Sequence, residues 1–174
     1  MRQLLIWCLG SLAAFASATA AQTPPTQVTI LALGASNTEG WGLPASDSYP
    51  ARLELMLKAK SVSATVHNFG IAGDTTRGMS ARLQVGMPEG TQLVILQPGI
   101  NDARVGEGAD RARNIEDIRS WLAARGVKLV MMENDMLDAL PRTELREDGI
   151  HFTAAGYAIL AERILPEVLA ALGK

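Results

Sequence analysis

The chain has 174 residues, 48% of them hydrophobic and 20% charged, which supplies the core of one domain and excludes a chain disordered by composition. Its 16 Lys and Arg stand against 18 Asp and Glu with no long run of either sign, which excludes nucleic-acid binding through a basic face and a polybasic membrane anchor. Cys8 is the one cysteine, so no disulfide framework or CxxC zinc site forms within the chain.

Arg2, the apolar run Leu4 to Ala16 and the small residues Ala18-Thr19-Ala20 have the layout of a secretory signal peptide, residues 1–20, and predict a periplasmic or secreted protein. The run is short for a transmembrane helix, so no membrane span is expected in the mature chain. Residues 21–27, with Pro24 and Pro25, read as a leader, and residues 28–174 as a single domain. Val28 to Leu33 is a β-branched, apolar run that stops at Gly34 and predicts a buried strand. Ser48-Tyr49-Pro50 opens a helix, with proline in the first turn and Leu53, Met56 and Leu57 at helical spacing, that reaches Lys60. Ser63 to Asn68 and Gln92 to Leu96 read as the second and third strands. Asp110 to Arg125 carries Ile115, Ile118, Trp121 and Leu122 on one stripe and stops at Gly126, an amphipathic helix. Val127 to Met132 is the fourth strand. Thr153 caps a last helix to about Leu172, with Tyr157, Leu160, Ile164 and Leu165 inward and Pro166 expected to kink it. Strands alternating with helices imply an α/β fold of parallel βαβ units with both sheet faces covered.

Ligand sites in such sheets lie beyond the C-terminal ends of the strands, and four polar clusters fall there. They are Gly34-Ala35-Ser36-Asn37, Asn68 to Asp74, Gly99-Ile100-Asn101-Asp102, and the distant Asp148-Gly149-Ile150-His151. A serine hydroxyl needs a base to take its proton. Of the two histidines, His67 sits inside a strand run, as a packed or edge residue does, whereas His151 follows a loop and precedes a helix. Asp148, three residues earlier, is close enough in a turn to accept the imidazole N–H and fix its tautomer. The backbone N–H groups of Ser36 and Gly73 and the side-chain amide of Asn101 suit an oxyanion. Each cluster alone also reads as ordinary loop chemistry; their order and placement argue for a site.

These residues carry a resemblance. The chain resembles the SGNH hydrolases, also called GDSL esterases/lipases, over Val28 to about Leu169. Gly34-Ala35-Ser36-Asn37-Thr38 matches the family's first block, Asn68 to Asp74 the second, Gly99-Ile100-Asn101-Asp102 the third and Asp148 to His151 the last. The segments Gly73 to Gly78 and Asp148 to Tyr157 are similar to the bacterial secreted lysophospholipase/thioesterase/arylesterase branch. The resemblance implies a three-layer, flavodoxin-like fold and a catalytic set of Ser36, Asp148 and His151. The implied oxyanion hole is Ser36, Gly73 and Asn101. It implies no metal and no cofactor.

Two departures bear on the site. The usual Asp of the first block is Ala35, and the usual Leu or Ile after the serine is Asn37, which alters the local support of the serine. Only the 14 residues Asn134 to Glu147 separate the fourth strand from the last block, which barely accommodates a crossover and a strand. The expectation is a parallel sheet of about four strands with no fifth, a short helix near Met136 to Leu140, and an open acyl site beside Met136, Leu137 and Leu140. The expected activity is cleavage of carboxylic esters, including thioesters, by an acyl-enzyme mechanism on a small-molecule substrate with a short acyl or an aryl group. A carbohydrate O-acetyl esterase is the second enzyme reading, and a non-catalytic binding module on a hydrolase fold is the alternative from another class.

Overall fold

Runs of valine, isoleucine and leucine form the centre of the molecule: the β-branched valine and isoleucine favour strands, and all three have enough apolar surface to be covered on two sides. A computed structural model describes residues 27–174; the expected signal peptide and nearly all of the leader lie outside the described residues. Four strands, β1 (Val28–Gly34), β2 (Ala64–Gly70), β3 (Thr91–Gln97) and β4 (Lys128–Met131), pair in the order β2-β1-β3-β4, all parallel. The expected four-stranded sheet is therefore present, and the described residues contain no fifth strand beside β4.

Alternate residues of each central strand face opposite layers. Ile30, Ala32, Leu93 and Ile95 pack with α2 (Tyr49–Ala59) and α7 (Ala154–Leu172) through Leu53, Leu57, Tyr157, Leu160 and Ile164. Leu31, Leu33, Val94 and Leu96 pack with α3 (Thr76–Gly86) and α5 (Arg111–Ala123) through Met79, Leu83, Ile118 and Leu122. The result is three layers, with a core on each sheet face. Helix α7 is continuous through Pro166, and the Thr153 hydroxyl accepts the Gly156 N–H at its start.

Helix α3 has no counterpart in the periodicity reading. Its inward stripe is only Met79 and Leu83, and glycines stand at 78 and 86. The signal present is its cap: the Thr75 hydroxyl accepts the Gly78 N–H at 3.3 Å. Two further short helices start at the site, α1 (Ser36–Glu39) and α4 (Asn101–Arg104). The expected short helix after β4 is α6, at Asn134–Asp138, slightly earlier than the Met136 to Leu140 expected. Arg163 of α7 donates to the carbonyls of Met136 and Ala139 and so closes the open end of α6.

Candidate active site

The site residues Ser36, Gly73 and Asn101 follow the ends of β1, β2 and β3, which the parallel register aligns: Gly34 pairs with Gly70 on one side and Gln97 on the other. The turn out of β1 is tight. A Cβ on Gly34 would stand 2.1 Å from Thr38 Oγ1, so glycine is required for the chain to fold back into α1, and Ser36 becomes its first helical residue. Ala35, where the family pattern has Asp, is buried in the core, and its carbonyl accepts the N–H groups of Thr38 and Glu39. First-turn N–H groups have no intrahelical acceptor, which leaves the Ser36 N–H available.

The oxyanion candidates are held by one buried carboxylate. Asp102, fully buried, accepts from Thr76 Oγ1 at 2.5 Å and from the Thr76 N–H at 3.2 Å, and Asn114 donates to the same hydroxyl. This ties the start of α4 to the start of α3. Asn101 Nδ2 donates to the Asp74 carbonyl at 2.9 Å. A carboxamide has two donor hydrogens, so one is left for a ligand. Gly73 has φ of 81° and nothing within 4 Å of a Cβ position: the backbone there needs glycine for its left-handed conformation and borders open space. Asp74 is held by the Arg82 guanidinium at 2.7 Å.

In the last block, Asp148 Oδ1 accepts the N–H groups of Ile150 and His151, both at 2.9 Å, while Oδ2 lies 2.8 Å from His151 Nδ1. Those bonds hold the Asp148 carboxyl well below the usual carboxylate range, the His151 backbone N–H first among the causes. An ionised carboxylate only accepts, so Nδ1 carries the hydrogen and Nε2 is the acceptor nitrogen of the neutral ring. Nε2 is buried and has no hydrogen-bond partner among the described residues; the Ser36 hydroxyl and the imidazole are not bonded to each other here. The Trp41 ring stands 4.8 Å from the imidazole, and Arg146 Nη1 holds the Trp41 carbonyl at 2.8 Å.

Ser36, Asn37, Ile100, Asn101 and Ile150 line an open groove of about 480 Å³, together with the apolar Leu137, Leu140 and Phe152. Met136, expected beside it, packs against the core instead. His67 lies mid-strand on the edge strand β2, opposite Leu31, away from this edge. The residues that the sequence reading did not assign to the site are Asp102, Trp41 and the pair Asn37 and Tyr157. Tyr157 reads as a core residue from its helical spacing, and its ring is buried; its hydroxyl nevertheless donates to Asn37 Oδ1 at 2.9 Å. Burial pushes that hydroxyl up to about 12, so it stays a donor.

Fold and site together define an ester-cleaving hydrolase. The chain belongs to the GDSL-like lipase/acylhydrolase family, whose model matches residues 32–132; the segment Asp148 to His151 lies beyond the match. Among solved structures it is similar to TesA (23% identity, TM-score 0.75, covering 82% of this chain and 99% of that one). It is also similar to AlinE4, an SGNH-hydrolase family esterase, at 24% identity and TM-score 0.64 over 86% and 99% of the two chains. A carbohydrate acetylesterase family member from Sinorhizobium meliloti aligns at 19% identity and TM-score 0.66 over 84% and 100%. These likenesses bear out the SGNH fold. No curated protein matches the chain.

Proposed function

We propose that the protein is a periplasmic or secreted serine esterase that works through an acyl-enzyme on Ser36. The observation that carries this reading is the polarised His151: Asp148 fixes its Nδ1 while Nε2 is left unpartnered, and Ser36 opens the helix that follows β1. Ser36 Oγ adds to the ester carbonyl carbon and its proton passes to Nε2. The carbonyl oxygen becomes an oxyanion that the N–H groups of Ser36 and Gly73 and the free Asn101 amide hydrogen stabilise. Collapse expels the alcohol, which leaves with the proton from Nε2. Water then adds to the acyl-enzyme by the same route, its proton going to Nε2 and on to Ser36 Oγ as the acid departs. Short acyl groups or aryl esters suit the open groove; the resemblance extends the reading to thioesters. A carbohydrate O-acetyl esterase is the second reading, favoured by the polar residues Arg104, Asn134, Asp138 and Arg142 on the groove. The mature enzyme lacks the signal segment and works outside the cytoplasm.

A fluorophosphonate probe tests the assignment. Wild type and Ser36→Ala are treated at equal folded concentration: labelling in wild type and its loss in the variant is the expected result, and labelling that persists in Ser36→Ala removes the serine from this role.

A further inference from the structure

Asn37 stands where the family pattern places an aliphatic residue, and its carboxamide is used at both ends. Oδ1 accepts the buried Tyr157 hydroxyl at 2.9 Å, and Nδ2 donates to the Ile150 carbonyl at 3.3 Å. The orientation is forced, since a carbonyl oxygen only accepts and must face the NH₂ end. The Ile150 carbonyl belongs to the peptide that joins Ile150 to His151. On its other side that segment is held by the Asp148 carboxylate, through the Ile150 and His151 N–H groups, and by the Arg146 N–H, which donates to the His151 carbonyl at 2.8 Å. Tyr157 comes from α7, whose ring packs edge-on against Phe152. Asn37 is next to Ser36 in the same helical turn. One side chain thus spans the turn that carries the serine, the peptide that carries the imidazole, and a fully buried ring anchored in the core.

We propose that Asn37 is a positioning residue: it sets the separation of Ser36 and His151 by clamping the Ile150–His151 peptide against the first turn of α1, with Tyr157 as its fixed anchor. The inference rests on the assignment of those two residues as nucleophile and base. Displacements of about 1 Å cost on the order of 100-fold in rate, which is what such a clamp prevents. A misplaced imidazole fails twice, as base in attack and as acid toward the leaving oxygen. The second failure matters for an alkoxide, which must be protonated, and little for p-nitrophenolate, which leaves without a proton.

The test compares Asn37→Leu, Asn37→Asp and Tyr157→Phe with wild type on p-nitrophenyl acetate and ethyl acetate, with melting temperature and fluorophosphonate labelling rate measured in parallel. Asn37→Asp keeps the acceptor for Tyr157 and loses the donor to Ile150; Tyr157→Phe does the reverse. Asn37→Leu is expected to lower kcat roughly 10–100-fold on p-nitrophenyl acetate, to slow labelling in step, and to fall further on ethyl acetate, with KM little changed. Each single-arm variant should lose part of that rate. If all three variants keep kcat within about twofold, or if loss is equal on both esters and follows melting temperature, the clamp is wrong and Asn37 only packs. Should Asn37→Leu not fold, the Tyr157→Phe and Asn37→Asp ester ratios decide alone. Failure of the underlying assignment looks different, because Ser36→Ala would then still be labelled.

Discussion

At the scale of single residues, the chemistry turns on which hydrogens are already committed. Asn101 has spent one amide hydrogen on the Asp74 carbonyl, so its removal has two consequences of different kind. Asn101→Ala should lower kcat about 100–1000-fold through the lost oxyanion donor. It should also lower stability by about 0.5–1.5 kcal/mol through the lost tether; steady-state kinetics beside a urea titration separates them. Asp148 is held ionised by three hydrogen bonds. Its folded pKa is depressed, so its stabilising contribution is fully present above the ordinary carboxylate range and is lost as pH falls below that range toward the lowered folded value. The carboxylate therefore stays charged into the acid range, and the acid limb of kcat/KM should fit a single protonation with none contributed by Asp148. Asp148→Asn should lower the rate while leaving stability less sensitive to acid; an acid limb with two protonations in wild type would show that the carboxylate is not held ionised.

At the scale of elements, helices α3 and α4 meet through few atoms. Asp102 at the start of α4 holds the first turn of α3 by both the hydroxyl and the N–H of Thr76. Cutting this joint releases Asn101 and Gly73 together. Asp102→Ala should cost on the order of 3 kcal/mol, the range for hydrogen bonds to a buried charged group, and should weaken the oxyanion site as a unit, seen as a loss of kcat without a matching change in KM in the folded fraction. A variant with full kcat would show that α3 and α4 hold their positions by packing alone. The helices that the sequence reading placed well, α2, α5 and α7, have long apolar stripes. Helix α3 escaped it because only two buried apolar side chains, Met79 and Leu83, give too little periodicity, although its threonine cap was present.

At the scale of the whole molecule, the short segment after β4 decides the shape of the site. With four strands and the five-residue α6 in place of a crossover and a fifth strand, the groove beside Ser36 is walled by Leu137, Leu140 and Phe152 and stays open. Each fully buried methylene contributes about 0.8 kcal/mol, and an open wall buries few of them. Across p-nitrophenyl esters from acetate to palmitate, kcat/KM should peak at four carbons or fewer. A steady climb to dodecanoate would mean that a longer channel closes around the acyl chain and would return a lysophospholipase role to the front.

The four strands, helices α2, α5 and α7, the covering of both sheet faces and the residues of all four blocks were legible in the chain, because parallel strands buried on both faces leave long apolar runs and because βα turns demand glycine at fixed points. The length of the segment Asn134 to Glu147 also made a fifth strand unexpected, since 14 residues barely accommodate a crossover and a strand. It did not show how the site is braced. Asn37 read as an alteration of the serine's support, and Tyr157 as core; that Asn37 accepts from Tyr157 and donates to the Ile150 carbonyl depends on residues more than a hundred positions apart. Asp102 read as part of a motif, whereas its work is to hold Thr76. Such bonds have no periodicity and no fixed spacing, so they exist only once the sheet has brought the ends of its strands to one edge.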